Sequence, residues 1–179
     1  MLPEGPDTEA MQKDVEEMQR MLEAYLAFAR GANAEQSAAI DMNTFLLELK
    51  ADAERHGHAT RVSYSGDPMA TVRPDSFKRC LTNLVANAQR YGKDISIEAV
   101  RETRFLTIHV DDDGPGIPPD QREEVFRPFF RLDEARNQDY GGTGLGLAIA
   151  RDIARAHGGD IWLATSPMGG LRASVRVPV

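Results

Sequence analysis

Apolar positions in the first part of the chain fall at Val15, Met18, Leu22, Tyr25 and Ala29. Steps alternating between three and four residues make one stripe along a helix, so a helix is predicted from about Ala10 to Arg30, with Gly31 as its stop. Residues 31–40 are small and polar and read as a linker. Asp41 then stands where a cap belongs, ahead of a helix from Met42 to about Arg55 that Gly57 ends. Two short strands follow, Thr60–Tyr64 and Ala70–Val72. Pro74 suits the first position of a helix and Asp75 its first turn. That helix is predicted to reach Tyr91, burying Phe77, Cys80, Leu81, Leu84, Val85 and Ala88. ISIEAV and FLTIHV alternate strictly and read as a hairpin. Asp111 to Gly116 is a tight acidic loop, and a short helix follows Pro119. Arg127 to Gly142 shows no period, and a loop of that length is usually functional or disordered. GGTGLGLAIA opens a helix reaching His157, and DIWLAT and LRASVRVP close the chain as two paired strands.

This order of elements predicts an α+β two-layer sandwich, with a mixed, mostly antiparallel sheet, helices on one face and one long helix in front. The expected division is residues 1–30, a linker at 31–40, and one domain at 41–179. Charge and composition narrow the partners. Acidic residues number 28 against 21 basic ones, for a net charge of −7. No basic footprint for nucleic acid exists, so a phosphate ligand would need local donors and a metal. The single cysteine, Cys80, lies on the buried stripe and reads as core. No apolar run approaches the roughly 18 residues of a membrane span, so no direct membrane contact is expected.

Three stretches carry candidate chemistry. In NLVANAQRY, Asn83 and Asn87 share a helix face, with Tyr91 one turn further. A carboxamide oxygen is a hard ligand suited to Mg²⁺, which binds through one or two protein oxygens plus phosphate. In DDDGPGI, the glycines let the backbone approach a flat ligand. A carboxylate there can accept from an exocyclic amine. GGTGLGLAIA places glycines at a helix start, whose free N–H groups suit an anion. Alone, each stretch also fits a plainer role: a polar helix face, an acidic turn, a packing contact. Together they supply partners for the metal, the base and the phosphates of a nucleotide.

The run of NLVANAQRY, DDDGPGI, FRPFFR and GGTGLGLAIARDIARAHGG, over roughly Asp41 to Val179, resembles the catalytic and ATP-binding domain of bacterial sensor histidine kinases, within the Bergerat-fold ATPases. The ending MGGLRASVRVPV is similar to osmosensing kinases that act on winged-helix response regulators. The resemblance implies ATP and Mg²⁺ as cofactors, held between helices under a mobile lid. It implies Asn87 as the Mg²⁺ ligand, with Asn83 supporting the phosphate end and Arg90 and Tyr91 contacting phosphate and nucleoside. It implies Asp112 as acceptor of the adenine amine, Gly114 and Gly116 shaping that pocket, and Ile117 lining it. Phe126, Phe129 and Phe130 would anchor the lid. Gly142, Gly144 and Gly146 would lie beside the triphosphate, with Thr143 a hydroxyl donor and Leu145 and Leu147 holding lid and helix.

KDVEEMQRMLEAYLAFARG is similar to the second helix of the dimerisation hairpin of these kinases. The first helix of that hairpin would carry the phosphoacceptor histidine. The histidines here, His56, His58, His109 and His157, lie in no such context and read as structural, with His157 at a helix end that welcomes positive charge. The resemblance thus implies a fragment of a homodimeric kinase, a cytoplasmic part of a parent in the bacterial inner membrane, with ATP–Mg²⁺ bound and little turnover. Two departures stand out. Leu171 and Ala173 occupy places where the family has a threonine and an aromatic, and the turn after Tyr91 through Gly92 is abrupt. Two rival functions remain. A hydrolytic relative would carry a glutamate where Asn83 stands. A degenerate module that binds a response regulator without nucleotide would not need the intact glycines and Asp112.

Overall fold

The computed structural model describes Val15, Met18, Gln19, Leu22 and Leu26, then residues 35–130, Leu132 and residues 144–179. Chain contacts divide the molecule into two units, 1–34 and 35–179. In the first, Val15, Met18, Gln19, Leu22 and Leu26 are helical and exposed. The predicted Tyr25 and Ala29 lie outside the described residues.

The second unit begins before the predicted domain start. Ala38–Asp41 is a strand, β1, paired antiparallel with β3 (Met69–Val72) in a two-stranded sheet. Residues 38–40 are therefore part of the domain and not of a linker, because their backbone groups are satisfied by the β3 ladder. Helix α1 (Met42–Arg55) follows at once, and Asp41 Oδ1 accepts from the Thr44 N–H at 3.0 Å as its cap. Asp41→Ala should lower stability by about 1 kcal/mol, the usual worth of such a cap, read as the midpoint of urea unfolding. No change in midpoint would mean that the cap contributes nothing.

β2 (Ala59–Ser65) runs parallel to β4 (Asp94–Arg101), joined by a crossover containing β3 and α2 (Pro74–Tyr91). β5 (Phe105–Asp112), β6 (Asp160–Thr165) and β7 (Leu171–Pro178) complete a five-stranded sheet in the order β2-β4-β5-β7-β6. All its pairings but the first are antiparallel. Alternation buries one face: Ile95, Ile97 and Ala99 on β4, Leu106, Ile108 and Val110 on β5, and Val175 and Val177 on β7. Against that face lie α2, α3 (Gly146–Ala156) and the predicted stripe of Phe77, Cys80, Leu81, Leu84, Val85 and Ala88, all buried. Cys80 is core as expected: its Sγ meets the Ala150 carbonyl at 3.4 Å, and burial pushes the thiol up to about 12.

α2 has no capping side chain from Arg73. Instead the Glu35 carboxylate accepts from the N–H groups of Asp75 and Ser76 at 2.5 and 3.0 Å. An acid far back in the sequence thus meets the positive end of the helix. His157 ends α3, and its ring sits 5.5 Å from that of Phe77. It is structural, as expected, and the helix end's preference for positive charge does not decide its state. Burial lowers its pKa, Nδ1 donates to the Ile153 carbonyl at 2.8 Å, and Nε2 accepts from the Arg73 N–H at 3.2 Å, a neutral imidazole.

Candidate nucleotide site

Phe77 beside His157 and Cys80 beside Ala150 make α2 and α3 antiparallel. Four residues on from Cys80 is Leu84, and four back from Ala150 is Gly146. Each step is about 6 Å of rise. The start of α3 therefore lies alongside the part of α2 that carries Asn83 and Asn87. Both asparagines are half-buried, and the Asn83 Nδ2 is a buried donor with no partner among the described residues. A buried donor left unpaired is costly, and that cost is relieved if an acceptor enters. Arg90 is half-buried and Tyr91 is 44% exposed at the end of the same helix.

The acidic loop packs directly under this end of α2. A Cβ on Gly114 would stand 2.6 Å from the Tyr91 carbonyl oxygen, and one on Gly92 would stand 2.7 Å from the Asp112 Cβ. That second contact accounts for the abrupt turn after Tyr91: no side chain fits between helix and loop. Asp112 is 2% exposed. Its Oδ1 accepts from the N–H groups of Gly114 at 2.8 Å and Leu171 at 3.1 Å. Its Oδ2 has no hydrogen-bond partner among the described residues, so one oxygen is fixed and the other keeps its lone pairs. Burial raises the Asp112 pKa; the two N–H groups oppose this, and Asp113 and Asp111 add to it. Asp113 behaves oppositely. Its carboxylate accepts from the N–H groups of Lys93 and Asp94 at 2.7 and 3.0 Å, which lowers its pKa. Gly116 has a φ of +70°, and Ile117 is half-buried, its carbonyl held by Arg122 Nε at 3.0 Å.

At the start of α3, no side chain among the described residues caps the helix, and a Cβ on Gly146 would meet none of them within 4 Å. Gly144 has a φ of +69°, and its carbonyl accepts from the Phe129 N–H at 3.0 Å. Leu145 is buried and Leu147 half-buried. Of the three phenylalanines, Phe126 is buried under the Arg151 guanidinium, 4.2 Å from its ring centroid. Phe130 is half-buried, and Phe129 is 59% exposed, held by its backbone and not by packing. Gly142 and Thr143 lie outside the described residues. A cleft of about 450 Å³ bounded by Arg73, Ala156 and His157 lies at the opposite end of α2 and contains none of these groups.

Two backbone donors were not anticipated from the sequence, where Leu171 stood out only for its side chain. Gly170 N–H donates to the Asp112 carbonyl at 3.2 Å, and Leu171 supplies a backbone donor where its side chain offers none. The only trace of them is the glycine pair before the last strand.

Fold and site together define an α/β sandwich of the nucleotide-binding ATPase class. Residues 72–179 match the histidine kinase-, DNA gyrase B- and HSP90-like ATPases, and the chain belongs to that family. The chain is 35% identical over 184 residues to the sensor histidine kinase CpxA of Escherichia coli K12, covering 98% of this chain and 40% of CpxA. It is 32% identical over 181 residues to the sensor protein RstB of the same strain, covering 97% of this chain and 42% of RstB. Among solved structures it is similar to the ATP-binding domain of PrrB from Mycobacterium tuberculosis. There the TM-score is 0.64 at 28% identity, over 80% of this chain and 98% of that one. The chain thus spans well under half the length of these curated relatives.

Proposed function

We propose that residues 35–179 hold ATP with Mg²⁺ and present the γ-phosphate to a phosphoacceptor histidine, as the catalytic domain of a two-component sensor kinase. The observation that carries this reading is the buried Asp112 carboxylate, with Oδ1 tied to two backbone N–H groups and no partner for Oδ2 among the described residues. An exocyclic amine is the donor that such an oxygen lacks. Asn87 supplies a hard oxygen for the metal, Asn83 a donor toward phosphate, and the α3 start its amides. Arg90 and Tyr91 lie at the nucleoside end, Gly114, Gly116 and Ile117 wall the base, and Phe126, Phe129 and Phe130 root the lid. Mg²⁺, when bound, offsets phosphate charge; the protein's own part is to position and to exclude water. Asn83 in place of a glutamate leaves no carboxylate to activate water, which favours transfer over hydrolysis. The similarity to the sensor kinases CpxA and RstB supports a response regulator as the downstream partner, and the ending MGGLRASVRVPV favours one of the winged-helix type. The likeness of residues 1–30 to the second helix of a dimerisation hairpin favours a homodimer, and the likeness to these sensor kinases favours a parent kinase of the inner membrane.

Calorimetry with and without metal tests the site. Asn87→Ala should weaken ATP about tenfold in Mg²⁺, roughly 1.4 kcal/mol, and hardly at all in chelator. An equal loss in both conditions removes Asn87 as the metal ligand.

A further inference from the structure

Asp111 and Asp112 are neighbours on β5, so their side chains stand on opposite faces of the sheet. Asp112 shares the inner face with Ile108 and Val110. Asp111 shares the outer face with His109, yet it is only 3% exposed. Its cover is Arg172, directly opposite in the β5–β7 register. Arg172 Nε donates to Asp111 Oδ1 at 2.8 Å, and Nη2 donates to Oδ2 at 2.7 Å. Two parallel charge-assisted bonds fix direction as well as distance. The Glu98 carboxylate on β4 stands 3.8 Å from the same guanidinium.

Arg172 follows Leu171, whose N–H holds Asp112 Oδ1, and lies two residues after Gly170, whose N–H holds the Asp112 carbonyl. The fork therefore fastens the two strand ends whose backbone aims Asp112, from the face of the sheet turned away from the site.

We propose that Asp111 and Arg172 are positioning residues for the base site. By locking the end of β5 to the start of β7, they keep Asp112 Oδ1 on the Leu171 N–H and reserve Oδ2 for the exocyclic amine, so that the site selects adenine over purines without that amine. Neither residue touches nucleotide. The inference rests on the reading of Asp112 as the base acceptor.

The test compares ATP with inosine triphosphate, which lacks the amine, by calorimetry and competition on the 179-residue chain. Arg172→Met should weaken ATP about five- to tenfold, the scale of one misaligned hydrogen bond, and leave inosine triphosphate within about twofold. Asp111→Asn should do the same in the same direction, and carries the test if Arg172→Met gives no cooperative melt. An equal loss for both nucleotides makes the fork merely structural and overturns the proposal, as does no loss for either. Asp112→Asn in parallel separates the two readings. If it leaves ATP affinity unchanged, the role of Asp112 itself fails; if it weakens ATP while Arg172→Met does not, only the fork fails.

Discussion

Replacing Asp112 by asparagine should weaken ATP by about 10- to 200-fold, and at the same time raise the melting temperature of the empty protein at neutral pH. The first effect follows from losing an acceptor in a buried pocket, worth about 1–3 kcal/mol. The second follows from the direction of the pKa shift. Burial raises the Asp112 pKa above its ordinary 3.8, with Asp113 and Asp111 adding to it. The folded state then holds that proton more tightly than the unfolded chain does. Its stabilising contribution is complete below the unfolded pKa and is lost as pH rises through the higher folded value. An ionised Asp112 in the empty domain is therefore a desolvated charge, to which the proposed purine amine would add a hydrogen bond. An asparagine can keep Oδ1 on the Leu171 and Gly114 N–H groups, while its amide turns a donor toward the purine amine. Melts across pH, without nucleotide, should show the variant's advantage shrinking as pH falls through the raised pKa. A lower melting temperature at neutral pH, or an unchanged ATP affinity, would contradict this account.

The same carboxylate shows what a linear sequence makes readable. α2 was legible to the residue, from Pro74 to Tyr91, because a proline start and a six-residue apolar stripe are local signals. The α+β sandwich was legible because its strands alternate and its helices have a clear period. Asp112 and the glycines could be singled out only through the resemblance of DDDGPGI and GGTGLGLAIA to the family's motifs, since each stretch alone also reads as an acidic turn or a packing contact. β1 could not: AAID carries small, mostly exposed side chains, and only pairing with β3 makes it a strand. The Glu35 cap on α2 joins residues about forty apart, and nothing in the linker's composition announces it. The Asp111–Arg172 fork and the Leu171 N–H need the β5–β7 register, which a hairpin of β6 and β7 does not fix. His157 is structural, as expected, but its charge state was not legible for a related reason. The helix end favours a cation, but burial and the Arg73 N–H outweigh it.

Register also makes a sharp demand on a single position at the site. Gly169 and Gly170 are neighbours in the β6–β7 turn, and alanine should affect them differently. At Gly169 the added carbon meets nothing within 4 Å, and the only difficulty is a φ of +97°. That costs about 1 kcal/mol and should leave ATP affinity as it is. At Gly170 the backbone is ordinary but space is lacking: the carbon would lie 2.2 Å from Asp112 Oδ1 and 2.5 Å from the Gly114 nitrogen. Neither neighbour can swing aside, since Oδ1 is held by two N–H groups and Gly114 is wedged against Tyr91. The strand ends must part, at a cost of about 3 kcal/mol, the upper range for an overfilled core. Asp112 then leaves its place, and ATP should weaken by at least the roughly tenfold expected from its loss. Urea unfolding and calorimetry on the two alanine variants read both quantities. A Gly170→Ala protein that binds ATP as tightly as the parent would mean that the base does not rest on Asp112, because no arrangement of that carboxylate survives the substitution unchanged.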